Sequence, residues 1–211
     1  MSQAAPHAAI GLHAQRGGAV AVALAVRQGE PRILASSLIE TCAAGDPLSL
    51  APYGAAAAMP RDPQGEATTE AAAAVAEGRG RQNEIAAANL KRFIGQLEQA
   101  GCRPAVAALL VNRAGWVTDL LGYSLAWPEH AAVADGLAVR DALRFACGEC
   151  GLEIVEMDEK SLPDLAAKTL DLSTDDIDAR LKALGSRVSK PWRRQQKLGC
   201  LAAWVALAGQ S

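Results

Sequence analysis

Between Ala19 and Val26 the sequence alternates without interruption. Val20, Val22, Leu24 and Val26 fall on one side of an extended chain, and Ala19, Ala21, Ala23 and Ala25 on the other. Period two with β-branched residues specifies a strand despite the helical preference of alanine. An all-alanine face also admits a closely packed helix, so both faces of the resulting sheet are expected to be covered. Gln15-Arg16-Gly17-Gly18 before the run and Gln28-Gly29-Glu30-Pro31 after it carry glycines that can adopt the positive φ of a tight hairpin. The flanking segments, about Ala9 to Ala14 and Arg32 to Glu40, are the expected antiparallel partners.

Beyond Glu40 the pattern is expected to lapse. Gly45-Asp46-Pro47, Ala51-Pro52-Tyr53-Gly54 and Met59-Pro60-Arg61-Asp62-Pro63 punctuate the chain, and Gly78 and Gly80 weaken a helix begun near Thr69. An irregular insertion, a loop or flap, is expected over about 41–80. From Arg81, Ala86, Leu90, Phe93, Ile94 and Leu97 share a helical face that Gly101 and Pro104 bring to an end. Ala105 to Val111 is a continuous apolar run, as in a parallel strand buried on both faces. A second helix follows Pro128, with Ala134, Leu137, Ala138, Ala142, Phe145 and Ala146 inward, and Leu152 to Met157 is the last strand. Ser161 with Asp164, and Ser173 with Asp176, mark two further helix starts. The second of these buries Ile177, Leu181 and Leu184. The final helix runs from about Pro191 to Ala208 and buries Leu198, Leu201, Ala202 and Val205. No repeat or linker divides the chain, so a single α/β domain over residues 1–211 is expected.

Charge and cysteine usage narrow the setting. A net charge of −2 recruits the chain neither to nucleic acid nor to an anionic membrane as a whole. The apolar run Ala19 to Val26 is too short to span a bilayer, and no signal-peptide pattern precedes it. Five cysteines in apolar or small-residue surroundings suit a reducing compartment, so the cytoplasm is the expected location and no membrane contact is expected.

Three antiparallel strands, a helix, a parallel strand, a helix, a parallel strand and terminal helices form an order that resembles the ribonuclease H-like fold, in particular its Holliday-junction resolvase branch. The chain is also similar to a group of bacterial proteins without an assigned activity. That likeness rests on Pro52-Tyr53-Gly54-Ala55, Glu129-His130-Ala131, and Pro191-Trp192 leading to Gln196-Lys197 and Ala202-Ala203-Trp204. The first resemblance implies two divalent cations on carboxylates, bridging a scissile phosphate. One aspartate would sit on the first strand, one acid at the end of the fourth, and one or two in the last helix. This sequence offers Gly11-Leu12-His13-Ala14-Gln15, Val111-Asn112-Arg113 and Gln195-Gln196-Lys197 instead. Arg113 and Lys197 are expected to oppose cation binding there. The actin-like ATPases share the core fold with an acidic, glycine-rich first hairpin, and His13-Ala14-Gln15-Arg16-Gly17-Gly18 keeps the glycines without the acid. Neither a two-metal nuclease nor an ATPase is expected, and neither is a metal or other cofactor.

The leading expectation is therefore a non-catalytic binding or scaffold protein, working as a homo-oligomer or with a protein partner. In the resembled fold His13, Asn112, Arg113 and Lys197 would converge where the central strands end, a usual ligand position in open α/β sheets. With His130, preceded by Glu129, they make an alternative: a metal-independent enzyme or binder for an anionic small molecule or nucleotide, through His13, Asn112, His130 and Lys197. Trp192, Arg193 and Arg194 mix a stacking surface with cations, which gives a second, less favoured alternative of weak nucleic-acid binding. Cys147-Gly148-Glu149-Cys150 lacks further zinc ligands and lies at a helix end, where a redox CxxC would occupy a helix start. Trp116, Leu120, Tyr123 and Trp127 concentrate apolar surface in one connection and are the candidate interface.

Overall fold

The two glycine hairpins and the alternating runs between them build three long strands: β1 (Ala8–Gln15), β2 (Gly18–Arg27) and β3 (Glu30–Glu40). Positive φ falls on Gly17 in the first turn and on Gln28 and Gly29 in the second. The computed structural model describes residues 8–112, 117–188 and 192–210. After β3 come α1 (Pro47–Leu50), α2 (Pro52–Ala57), α3 (Thr69–Gln99), β4 (Pro104–Val111), α4 (Leu120–Ala126) and α5 (Pro128–Glu149). The chain then adds β5 (Glu153–Asp158), α6 (Leu162–Leu170), α7 (Thr174–Gly185) and α8 (Arg194–Ala208). One five-stranded sheet results, in the order β3-β2-β1-β4-β5. The first three strands are antiparallel, and β4 and β5 lie parallel to β1.

Both faces of the sheet are covered, and β2 shows why. Val20, Val22 and Leu24 pack with the helices α6, α7 and α8, whereas Ala19, Ala21 and Ala23 pack beneath α3 and α5, with Leu90, Phe93 and Leu143. Each fully buried leucine or phenylalanine side chain contributes about 1.5–3 kcal/mol relative to exposure. On the other face α8 meets β1 backbone to backbone. A Cβ built on Gly11 would stand 1.8 Å from the Gly199 carbonyl oxygen, so only glycine allows this approach. The contact fixes α8 across the sheet and aims its first turn toward the carboxyl end of β1.

Two expectations need correction. The segment 41–80 is largely helical: it holds α1, α2 and the opening turns of α3, which continues unbroken through Gly78 and Gly80. Thr68 starts α3 by accepting from Ala71 N at 3.2 Å. Gly78 is where α3 touches its neighbours, because an added Cβ would lie 2.6 Å from the Leu48 carbonyl oxygen and 2.8 Å from Pro52 Cβ. A residue that weakens an isolated helix is thus required by packing. The same segment contributes buried core, with Tyr53, Ala56, Ala71 and Val75 against Ala134 and Ala138. The inward stripe of α5 also differs from expectation, for Phe145 is exposed and Leu137 half-buried, while Val139 and Leu143 are buried in their place. Among the described residues no helix is long and apolar enough to cross a membrane.

Candidate functional site

Parallel pairing of β1, β4 and β5 brings their carboxyl ends to one edge of the molecule. His13 pairs with Leu110, and Val111 with Asp158. Successive residues of a strand point to opposite faces, so His13 turns toward α8 and Ala14 toward the α3 and α5 side. The chain leaves β5 through Glu159, whose N–H donates to the Val111 carbonyl at 2.9 Å. Its carboxylate stands between two cationic or basic groups. His13 Nε2 lies 3.3 Å from Glu159 Oε2, and Arg194 Nη2, in the first turn of α8, donates to Glu159 Oε1 at 2.9 Å.

This geometry assigns the imidazole proton. A carboxylate only accepts, so Nε2 carries the hydrogen, and Nδ1 is left buried without a partner. The neighbouring Asp158 is occupied as a turn cap, with Oδ1 accepting from Lys160 N, Ser161 N and Ser161 Oγ. The edge therefore holds a line of three groups, His13, Glu159 and Arg194, rather than a cup of carboxylates. Among the described residues no three His, Cys, Asp or Glu side chains gather at metal-ligating spacing. The donor set thus does not fit the paired divalent cations that the fold's nucleases use, for each such ion needs several oxygen ligands.

The other residues singled out from sequence are spread over different surroundings. Asn112 is exposed just beyond β4, and Arg113 and Trp116 lie outside the described residues. Lys197 is exposed, over a hollow that α6, α7 and α8 line with Pro163, Ile177 and Leu201. Its charge is solvated there, so it bears on the strand ends less than the sequence suggests. His130 belongs to the joint between α4 and α5: its ring stacks on Tyr123 at 3.9 Å, and Nδ1 is 3.0 Å from the Tyr123 carbonyl oxygen. Trp192 is half-buried against the α8-side core, and its ring takes the space that a side chain at Gly185 would need. Arg193 is exposed, with its backbone N–H on Gln196 Oε1 at 3.0 Å. Leu120 and Leu121 back onto the Tyr53 cluster, Tyr123 is half-buried, and Trp127 is 62% exposed.

Two groups escaped the sequence reading. Glu159 follows the strand whose end was given no role, and its signal was position alone: an acid directly after a parallel strand. Arg140 is the other, a cation among the inward residues of α5. All five cysteines are free, and burial pushes the Cys147 thiol up to about 12, which is contrary to a redox or zinc role for the CxxC segment.

With that geometry in place, the comparisons bear on the fold. No family model matches the chain, and no curated protein matches it in sequence. Among solved structures it is similar to the RuvC structure of Thermus thermophilus, with a TM-score of 0.53 over 96% of this chain and 95% of that one, at 10% identity. It is also similar to T. thermophilus RuvC in complex with a Holliday junction substrate, with a TM-score of 0.54 over 97% of this chain and 94% of that one, at 11% identity. The fold is thus RuvC-like, of the ribonuclease H-like kind, with the five-stranded mixed sheet and the C-terminal helices in the expected places.

Proposed function

We propose that this chain is a non-catalytic member of the ribonuclease H-like fold, a single-domain binding or scaffold protein that acts in the cytoplasm as an oligomer or with a protein partner. One observation carries the reading. Where the carboxyl ends of β1, β4 and β5 meet, the described carboxylates are Asp158, which caps a turn, and Glu159, which is held between His13 and Arg194. Two-metal phosphodiester hydrolysis requires a carboxylate cluster that holds both ions about 4 Å apart, and one shared carboxylate beside a turn cap does not supply it. The exposed Trp127 and the half-buried Leu120 and Leu121 of the same connection support an interaction role, since aromatic and apolar anchors mark the centres of interfaces.

The test pairs two measurements on the full chain. Incubation with a four-way DNA junction and either Mg²⁺ or Mn²⁺ should give no more cleavage than a His13→Ala, Glu159→Gln control. Light scattering should show a species larger than the monomer, reduced in size by Trp127→Ser. Metal-dependent cleavage that the double substitution abolishes would refute the non-catalytic reading. A strict monomer that takes no partner from native extract would refute the scaffold reading.

A further inference from the structure

A hollow of about 520 Å³ opens on the opposite face of the sheet from His13, between the β1–β2 hairpin, α2 and α5. Its walls are apolar where Leu50, Ala131 and Val139 line it, and its charged groups are Arg16, Asp135 and Arg140. Asp135 is spent on the backbone: its two carboxylate oxygens accept from Tyr53 N at 2.8 Å and Gly54 N at 3.3 Å, closing the N-terminus of α2. The positive charge of the lining comes from Arg140 and from Arg16, whose guanidinium is also drawn by the Asp135 carboxylate.

Arg140 is the informative one. Its Nε is buried and has no hydrogen-bond acceptor, and among the described residues no carboxylate lies within ion-pair distance of it. The acids of this region are engaged elsewhere. Asp141 holds both Arg79 at 2.8 Å and Arg144 at 2.7 Å, Glu156 holds Arg144, and Glu159 holds Arg194. Burial, and then the like charge of Arg144, lower the pKa of Arg140 against the smaller pull of Glu159 and Glu156, so the protein keeps this cation in place at a cost. A buried guanidinium N–H without an acceptor is disfavoured, and an anion entering the hollow would supply one.

We propose that this hollow binds a small organic anion, with a phosphate or carboxylate head on Arg140 and Arg16 and an apolar body against Leu50, Ala131 and Val139. Guanidinium forks pair bidentately with both head groups, and the volume falls within the range of about 300–1,000 Å³ found for small-molecule sites. The proposal does not rest on the reading at His13, for it uses other residues, although the Glu159 charge is felt at Arg140; either can fail alone.

Isothermal titration of the full chain with phenyl phosphate, benzoate and adenosine monophosphate tests it. At least one should bind with Kd below about 1 mM, and comparison of phosphate with carboxylate identifies the preferred head. Arg140→Gln should weaken that binding about tenfold or more, the loss expected for a charge-assisted pair. Gly136→Leu supplies a variant that keeps the cations: Gly136 lines the hollow, a Cβ there meets nothing within 4 Å, and leucine is the better helix former. It should abolish binding while circular dichroism stays native. Lys197→Gln should leave affinity unchanged. No binding of any of the three compounds, or binding unaffected by both Arg140→Gln and Gly136→Leu, overturns the proposal.

Discussion

Replacing Gly11 by alanine tests the contact that places the first turn of α8 beside β1. The added Cβ would sit 1.8 Å from the Gly199 carbonyl oxygen and 2.6 Å from its carbonyl carbon, both backbone atoms that no rotamer change can move. Relief requires α8 to retreat by more than ~1 Å along its contact with β1, and interiors at crystal-like packing density transmit such a shift to every neighbour. Overpacking typically costs about 1–3 kcal/mol when side chains can adapt. With backbone on both sides, about 3 kcal/mol or more is expected here. In a chain of this length each kcal/mol lowers Tm by roughly 2–4 °C, so Gly11→Ala should fall by roughly 6–12 °C. Gly199→Ala is the matched control. Its Cβ would meet the Gly11 carbonyl oxygen at 3.2 Å and Val22 Cγ2 at 3.4 Å, tight but adjustable contacts, and alanine gains about 1 kcal/mol of helix propensity. Urea unfolding followed by circular dichroism should therefore place Gly199→Ala within about 1 kcal/mol of the parent. If Gly11→Ala proves as stable as the parent, or Gly199→Ala the worse of the two, the backbone-to-backbone packing argument is wrong.

Two further outcomes follow from buried titratable groups. Burial holds the Asp135 carboxyl above its ordinary value of 3.8, against the pull of the Tyr53 and Gly54 N–H groups, so the folded state binds its proton more readily than the unfolded one. Stability from this group is then fully present below 3.8 and lost as pH rises through the folded value. Asp135→Asn leaves one α2 N–H unpaired, at a cost of about 1–2 kcal/mol. The margin of the parent over Asp135→Asn, measured by urea unfolding, should widen as pH falls toward 4; a margin that narrows contradicts the assignment. The Cys147 and Cys200 thiols are both pushed up to about 12 by burial, with a smaller push on Cys147 from Cys150. Iodoacetamide at pH 8, read by mass spectrometry, should leave both unmodified until urea unfolds the chain, and rapid native alkylation of Cys147 would revive a reactive CxxC.

The strands were legible because their signal is local. Alternation in β2, glycine at two turns and a continuous apolar run in β4 are properties of a few adjacent residues. The helical stretch between Thr41 and Gly80 was not, because its decisive residue acts through tertiary contact. Gly78 reads as a helix breaker in one dimension and as the only residue that fits against Leu48 and Pro52 in three. Phe145 failed for a related reason. Helical spacing gives a stripe, but where the stripe ends depends on how far the sheet extends beneath it, and Val139 and Leu143 lie over the sheet where Phe145 does not. Glu159 and Arg140 were hidden because each gains its meaning from groups distant in sequence: one from His13 and Arg194, the other from a buried Nε that no described acceptor reaches.

The chemistry at the strand ends turns on ligand number more than on the ion pair itself. Arg194 is 80% exposed, and an exposed pair is worth only about 0–1 kcal/mol, too little to keep a divalent cation from Glu159. What a cation would find after displacing Arg194 is the obstacle. Beside Glu159 stand one imidazole, already using its Nε2 proton toward that carboxylate, and the Asp158 carboxylate, whose Oδ1 caps the following turn. A hard cation in such a place keeps most of its water and gains one anionic oxygen, which holds it no better than an ordinary surface acid would. Removing the positive charge alone therefore leaves the site as poor a metal seat as before. The fold converges three chain segments on one point, and the side chains those segments carry there decide whether the point can do phosphodiester chemistry.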